Sequence, residues 1–170
     1  MPIAAAVREL AAAGAGAAVI ASNATHLTFD LVAPTAPIPM LHIVDAARDA
    51  AAARGHRRLG ILGTRMIMNA DLYPARFMAG GMTVVVPRAD EQSYVHDVYL
   101  AELVNGQFRD ETRDRLVAII AAMRDRDGID GVILGGTELA LILTAPTYAD
   151  VPILNTAQIH VDAALDWLLG

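Results

Sequence analysis

Short apolar runs recur along the chain, each separated from the next by a stretch patterned for a helix. The runs are "AAVIAS" (17–22), "RRLGILGT" (57–64), "MTVVVP" (82–87), "IDGVILGG" (129–136) and "VPILNT" (151–156). They do not alternate polar with apolar residues, so each is expected to be a strand buried on both faces. Residues 2–13, 40–55, 65–79, 90–106 and 109–128 read as helices, with Gly14 and Gly16 ending the first and Gly55 the second. Pro74 belongs near a helix start or a kink. "TELALIL" (137–143) begins a further helix, and "AQIHVDAALDWLLG" (157–170) is the last, with Trp167 expected in its packed stripe. Such alternation is the pattern of an α/β fold whose parallel sheets are covered by helices. A chain of 170 residues can build one good core or two small linked ones.

Composition narrows the chemistry. Hydrophobic residues make up 55% and charged residues 19%, the balance of a folded chain. No apolar run reaches the roughly 18 residues of a membrane span, and Arg8 and Glu9 break the alanine-rich start. A cytoplasmic protein without a membrane partner is expected. The net charge of −6, with "RGHRR" (54–58) as the one basic cluster, argues against nucleic acid. Cysteine is absent, which excludes disulfides, thiolate metal sites and thiol nucleophiles. All 13 basic residues are arginine. Without lysine there is no Schiff base, including one to pyridoxal phosphate, and no P-loop lysine.

Four strands end in small polar turns: "ASNATH" (21–26), "LGTRM" (62–66), "GGTELA" (135–140) and "ILNTAQIH" (153–160). Taken singly, each reads as a helix cap, since Ser, Thr and Asn are favoured there. Taken together at strand ends, they read as a shared anion-binding cleft, because hydroxyls, amides and free N–H groups suit a carboxylate or phosphate. "GAG" (14–16) precedes its strand and so does not fit a dinucleotide fingerprint. His26 and His160 follow polar turns; either a structural hydrogen bond or a catalytic role is open to each. His42, His56 and His96 lack ligand-like spacing, so no metal is expected. "RDETRDR" (109–115) reads as a solvated helix face.

These turns carry a resemblance. "VIASNATH" (19–26), "RRLGILGTRMIMNADLYPARF" (57–77), "DEQSYVHDVYLAELVNGQFRDETRDRLVAIIAAM" (90–123), "GVILGGTELALIL" (131–143) and "VPILNTAQIHVDAALDWLL" (151–169) resemble the aspartate/glutamate racemase family, in family order over nearly the whole chain. The resemblance implies two Rossmann-like α/β lobes with the active site between them. The first would be incomplete (1–54 plus 151–170) and the second would span 55–150. It also implies a homodimer and a reaction without metal, pyridoxal phosphate or other cofactor. The chain is N-terminally short against the family pattern, so the first lobe is expected to lack its opening strands and to leave edges uncovered.

The family racemises acidic amino acids with two thiols, one on each face of the α-carbon. One lies in a "CNTAH"-like turn and the other in "GCTE". Here the turns are "SNATH" and "GGTE", so Ser22 and Gly136 stand at the two cysteine positions. A serine hydroxyl needs an adjacent base to act, and glycine carries no proton-transfer group. His26, Glu138 and His160 are the possible substitutes. The expectation is a cleft in which Asn23, Thr25, Gly63, Thr64, Thr137 and Glu138 bind a small acidic amino acid or dicarboxylate. Racemisation is expected to be absent or very slow. The alternatives are a non-catalytic binding or regulatory protein, or a lyase or decarboxylase on the same scaffold.

Overall fold

The computed structural model describes residues 2–169. Helix α1 (Pro2–Ala12) leads through Gly14 into strand β1 (Ala18–Val19). A 3-10 turn over 24–28 and the short helix α2 (Phe29–Val32) then carry the chain to β2 (Met40–Leu41), which pairs with β1 in parallel. Next come α3 (Ile43–Ala53), β3 (Arg58–Leu62), α4 (Arg65–Asn69), α5 (Leu72–Ala79) and β4 (Thr83–Val85). After α6 (Ala89–Ala101) and α7 (Asp110–Asp127) follow β5 (Gly131–Leu134), α8 (Leu139–Ile142), β6 (Thr147–Tyr148), β7 (Val151–Asn155) and α9 (Thr156–Leu169). The larger sheet has five strands in the order β4-β3-β5-β7-β6. Its first four are mutually parallel, and β6 runs antiparallel to β7 at the edge.

The expected α/β architecture, parallel sheets flanked by helices, is what the chain forms. The period of two along each strand sorts side chains into two cores. From β5, Val132 and Leu134 join Leu116, Ile120 and Met123 of α7, while Ile133 turns to the other side. There it meets Leu59 and Ile61 of β3, Val44 and Ala47 of α3, and Tyr73 and Phe77 of α5. Every residue of β5 is buried, as the unbroken apolar run "GVIL" requires. Helix α7 ends where Gly128 adopts a left-handed φ of 66° and its N–H reaches back to Arg124. Among the described residues, no helix is long and apolar enough to cross a membrane.

Several elements differ from the expectation. Residues 40–41 are a strand, not the first turn of a helix; the helix starts at Ile43, where the ring of His42 caps it by accepting the Val44 N–H at 3.0 Å. The apolar pair Met40–Leu41 suits either state, and only its partner β1 decides. Residues 65–79 form two helices, parted at Ala70–Asp71, with Pro74 in the first turn of α5, where its missing N–H costs nothing. Strand β6 is an edge hairpin that the sequence does not announce. Residues 151–155, expected with the first lobe, hydrogen-bond to β5 of the larger sheet, while α9 packs against α3. Trp167 is 45% exposed, not packed, on a helix whose Val161, Leu165 and Leu168 are exposed as well.

Candidate functional site

Parallel strands deliver the ends of β1, β3, β5 and β7 to one side of the molecule, the usual place for ligands in open α/β sheets. The turns after β1, β3 and β5 enclose a cavity of about 280 Å³ whose wall includes Ser22, Asn23, Thr64, Tyr99, Gly136, Thr137 and Glu138. Asn23, Thr64 and Glu138 each sit at a helix N-cap, and none makes a side-chain cap bond. Asn155 is the exception, accepting the Gln158 N–H at 3.2 Å.

Asn23 binds the turns to one another. Its side-chain carbonyl accepts from the Tyr73 hydroxyl, and its amide donates to Thr156 Oγ1 at 3.2 Å. Thr156 in turn donates to the Leu134 carbonyl at 2.7 Å. Asn23, Tyr73 and Thr156 are all buried. One network therefore holds the turn after β1, the end of β5, the start of α9 and helix α5 together. Burial pushes the Tyr73 phenol well above its ordinary range, so it stays a proton donor.

The other expected residues fall into distinct places. Ser22 lines the cavity, and Thr25 stands behind it, donating to Ser22 Oγ at 3.0 Å. Gly63 is buried beside Ile67 and the Gly135 carbonyl, off the cavity wall. His26 has both ring nitrogens engaged. Nε2 accepts the Ile43 N–H at 3.2 Å, which puts the ring proton on Nδ1, where it is given to the Ser22 carbonyl at 2.7 Å. Burial, with His160 and Arg76 nearby, lowers its pKa and keeps the ring neutral. His160 lies 3.2 Å from the Leu41 carbonyl through Nε2 and lines a separate, mostly apolar groove of about 220 Å³ with Val19, Ile43 and Leu165. His42 packs against His26, 4.8 Å away by ring centroid, and against Phe29 at 4.5 Å. Its Nε2 is buried without a hydrogen-bond partner among the described residues.

Glu138 is the one carboxylate on the cavity wall, and no arginine lines it among the described residues. Burial opposes its ionisation. The hydroxyls of Tyr99 and Thr137 and its own backbone N–H outweigh that, holding its pKa below the ordinary carboxylate range. Both hydroxyls donate to the same oxygen, Oε2, that of Thr137 at 2.9 Å.

Tyr99 is the site residue that sequence reasoning missed. It comes from α6 and meets Gly136 across 37 positions of chain, a distance at which no spacing pattern operates. A Cβ built on Gly136 would lie 2.5 Å from Tyr99 Oη and 2.6 Å from Cε2. The absent side chain at 136 and the phenol beside it are one feature: the ring fills the room that the glycine leaves.

The sequence profile of the Asp/Glu/Hydantoin racemase family matches residues 2–164. The chain belongs to this family. Two solved structures are similar in sequence as well as shape: an aspartate racemase homologue from Pyrococcus horikoshii, at 32% identity, and a putative Asp/Glu racemase from Yersinia pestis, at 30%. The TM-score is 0.89 for each, and the match covers 98% of this chain and 73% and 72% of theirs. The aspartate racemase of Picrophilus torridus shares the fold, with a TM-score of 0.81 at 17% identity, over 98% of this chain and 68% of its own. In this racemase-family member the cavity carries a hydroxyl at position 22 and only a hydrogen at position 136.

Proposed function

We propose that the protein binds a small acidic amino acid in the cavity at the strand ends and racemises it very slowly or not at all. One observation carries the reading: the turns "SNATH" and "GGTE" converge on one cavity, walled by Ser22 and Gly136, the positions at which the resemblance implies the family's thiols. The ligand's carboxylates meet Ser22, Thr64 and the free N–H groups of the turns. Its ammonium meets the Glu138 carboxylate. That pairing favours an amino acid over a plain dicarboxylate, which would bring only like charge to Glu138. The engagement of both His26 nitrogens, and the place of His160 on the neighbouring groove, leave neither imidazole in hydrogen-bond reach of a ligand's α-proton.

The reading makes the protein a cytoplasmic homodimer that needs no cofactor. The exposed apolar residues of α9 support a covered surface on that helix. Titration calorimetry with each enantiomer of aspartate and glutamate, and with succinate, tests the binding. Chiral chromatography of the same mixtures tests the chemistry. Binding of at least one amino acid, weaker succinate and no inversion are expected. Inversion at an ordinary enzymatic rate, or no binding to any amino acid, would overturn the reading.

A further inference from the structure

Gly136 offers the cavity nothing, yet the space beside it is filled and wired. The buried phenol of Tyr99 occupies the position where a residue-136 side chain would begin. Its proton is directed at Glu138 Oε2, and the Glu138 backbone N–H and the Thr137 hydroxyl also face it. Four hydroxyls line this cavity, those of Ser22, Thr64, Tyr99 and Thr137. Ser22 accepts from Thr25 and has no carboxylate beside it. Only Tyr99 and Thr137 are bonded to a base, and of these the phenol is by far the stronger acid, with an ordinary pKa of about 10.

We infer that Tyr99 is the acid–base group on the Gly136 side of the cavity, exchanging the α-proton of a bound amino acid through Glu138. The inference rests on the amino-acid-binding reading above. In the forward step the α C–H bond breaks and its proton passes to Tyr99 Oη. In the same step the original Oη–H bond breaks, as the phenol's own proton passes to Glu138 Oε2. The electron pair left on carbon enters the ligand's carboxylate as an enolate, so one negative charge moves from Glu138 to the ligand and nothing is oxidised or reduced. Glu138 is half-buried and trades its proton with solvent. While the enolate is bound, the proton on Oη also interchanges with that on Glu138 across their shared hydrogen bond, so the reverse step returns a solvent hydrogen to the same side of the carbon. The relay therefore exchanges hydrogen with retention of configuration. Burial and the facing carboxylate raise the Tyr99 pKa, while Glu138 is held ionised, so the resting proton sits on the phenol as the relay requires.

The test is deuterium uptake at the α-carbon, followed by NMR in heavy water with each enantiomer of aspartate and glutamate at saturating concentration. Configuration is read by chiral chromatography and occupancy by calorimetry on the same samples. Wild type is expected to take up deuterium with retention. Tyr99→Phe and Glu138→Gln are expected to slow uptake per bound ligand by about a hundredfold. Without ligand, Tyr99→Phe should raise the pH at which the Glu138 carboxyl titrates by carbon NMR. Binding without uptake, uptake in Tyr99→Phe at the wild-type rate, uptake with inversion, or an unmoved Glu138 titration would each overturn the relay. Failure of all four ligands to bind would overturn the binding reading itself, and the relay with it.

Discussion

The phenol of Tyr73 donates its proton to the side-chain carbonyl of Asn23, so a residue of α5 fixes the turn that follows β1. Both groups are buried, and Asn23 passes the link on to Thr156 at the head of α9. The cavity wall thus depends on a bond made well behind it.

Removing that bond should therefore be felt twice. Tyr73→Phe leaves the Asn23 carbonyl with only the Thr156 hydroxyl, 3.4 Å away, whose proton is already directed to Leu134. The expected loss is about 1–3 kcal/mol in urea unfolding, the cost of an unpaired buried polar group. Ligand affinity should fall in parallel, read by calorimetry at a temperature where the variant is still folded.

Gly136→Ala should destabilise although it adds one methyl group. The new Cβ would meet the Tyr99 ring, and the ring must leave its place against Glu138. A cost of about 1–3 kcal/mol is expected, as for other overpacked sites. With Tyr99→Ala present as well, the two costs should sum to less than their parts by about 1 kcal/mol in a double-mutant cycle. Full additivity would show that the two residues do not compete for the same space.

Ser22 and Gly136 are not equivalent. Ser22 borders open cavity, so Ser22→Cys places a thiol with an ordinary pKa of about 8.5 against the ligand. Conversion of L- to D-aspartate should rise about tenfold or more over wild type, by chiral chromatography. Gly136→Cys should give no such gain, since Tyr99 holds the room its side chain needs.

Acid should weaken the fold through three histidines. Burial lowers the pKa of His26, His42 and His160, with Arg76 and His26 adding to the effect on His42 and taking it to about 3. In the unfolded chain these rings take up protons near pH 6.5. Below that pH the unfolded state binds more protons than the native one, so stability is full above about pH 6.5 and falls as the pH drops towards 3. The slope is up to about 1.4 kcal/mol per pH unit for each ring. Urea midpoints at pH 8, 6 and 4.5 measure it, and His42→Asn, which retains a cap acceptor, should flatten the decline.

The sequence made the central strands of the larger sheet legible because they are buried on both faces, and burial leaves an unbroken apolar run such as that of β5. The turns were legible for a related reason: small polar residues directly after such a run have few other uses. What stayed hidden depends on partners distant in the chain. Met40–Leu41 is a strand only because β1 lies beside it, and the reach of Tyr99 to Gly136 leaves no periodic trace. For His26 the sequence left a structural bond and a catalytic role both open, and its commitment to Ile43 and Ser22 is visible only once α3 is docked. Trp167 misled because an apolar stripe says that something should cover it, not that this chain does.

Strands β1 and β2 form a ladder only two residues long, apart from the five-stranded sheet. So short a pairing resists opening weakly, whereas the central strands of the larger sheet open only when the whole domain does. Ser22 and Asn23 hang from the weaker part, and Gly136 and Glu138 from the stronger. A molecule that bridges them adds a further tie, beside the bonds of Asn23 to Tyr73 and Thr156, between a weakly paired strand and a strongly paired one. Occupancy of the cavity would then slow amide hydrogen exchange chiefly in residues 17–28, leaving residues 131–136 as slow as before.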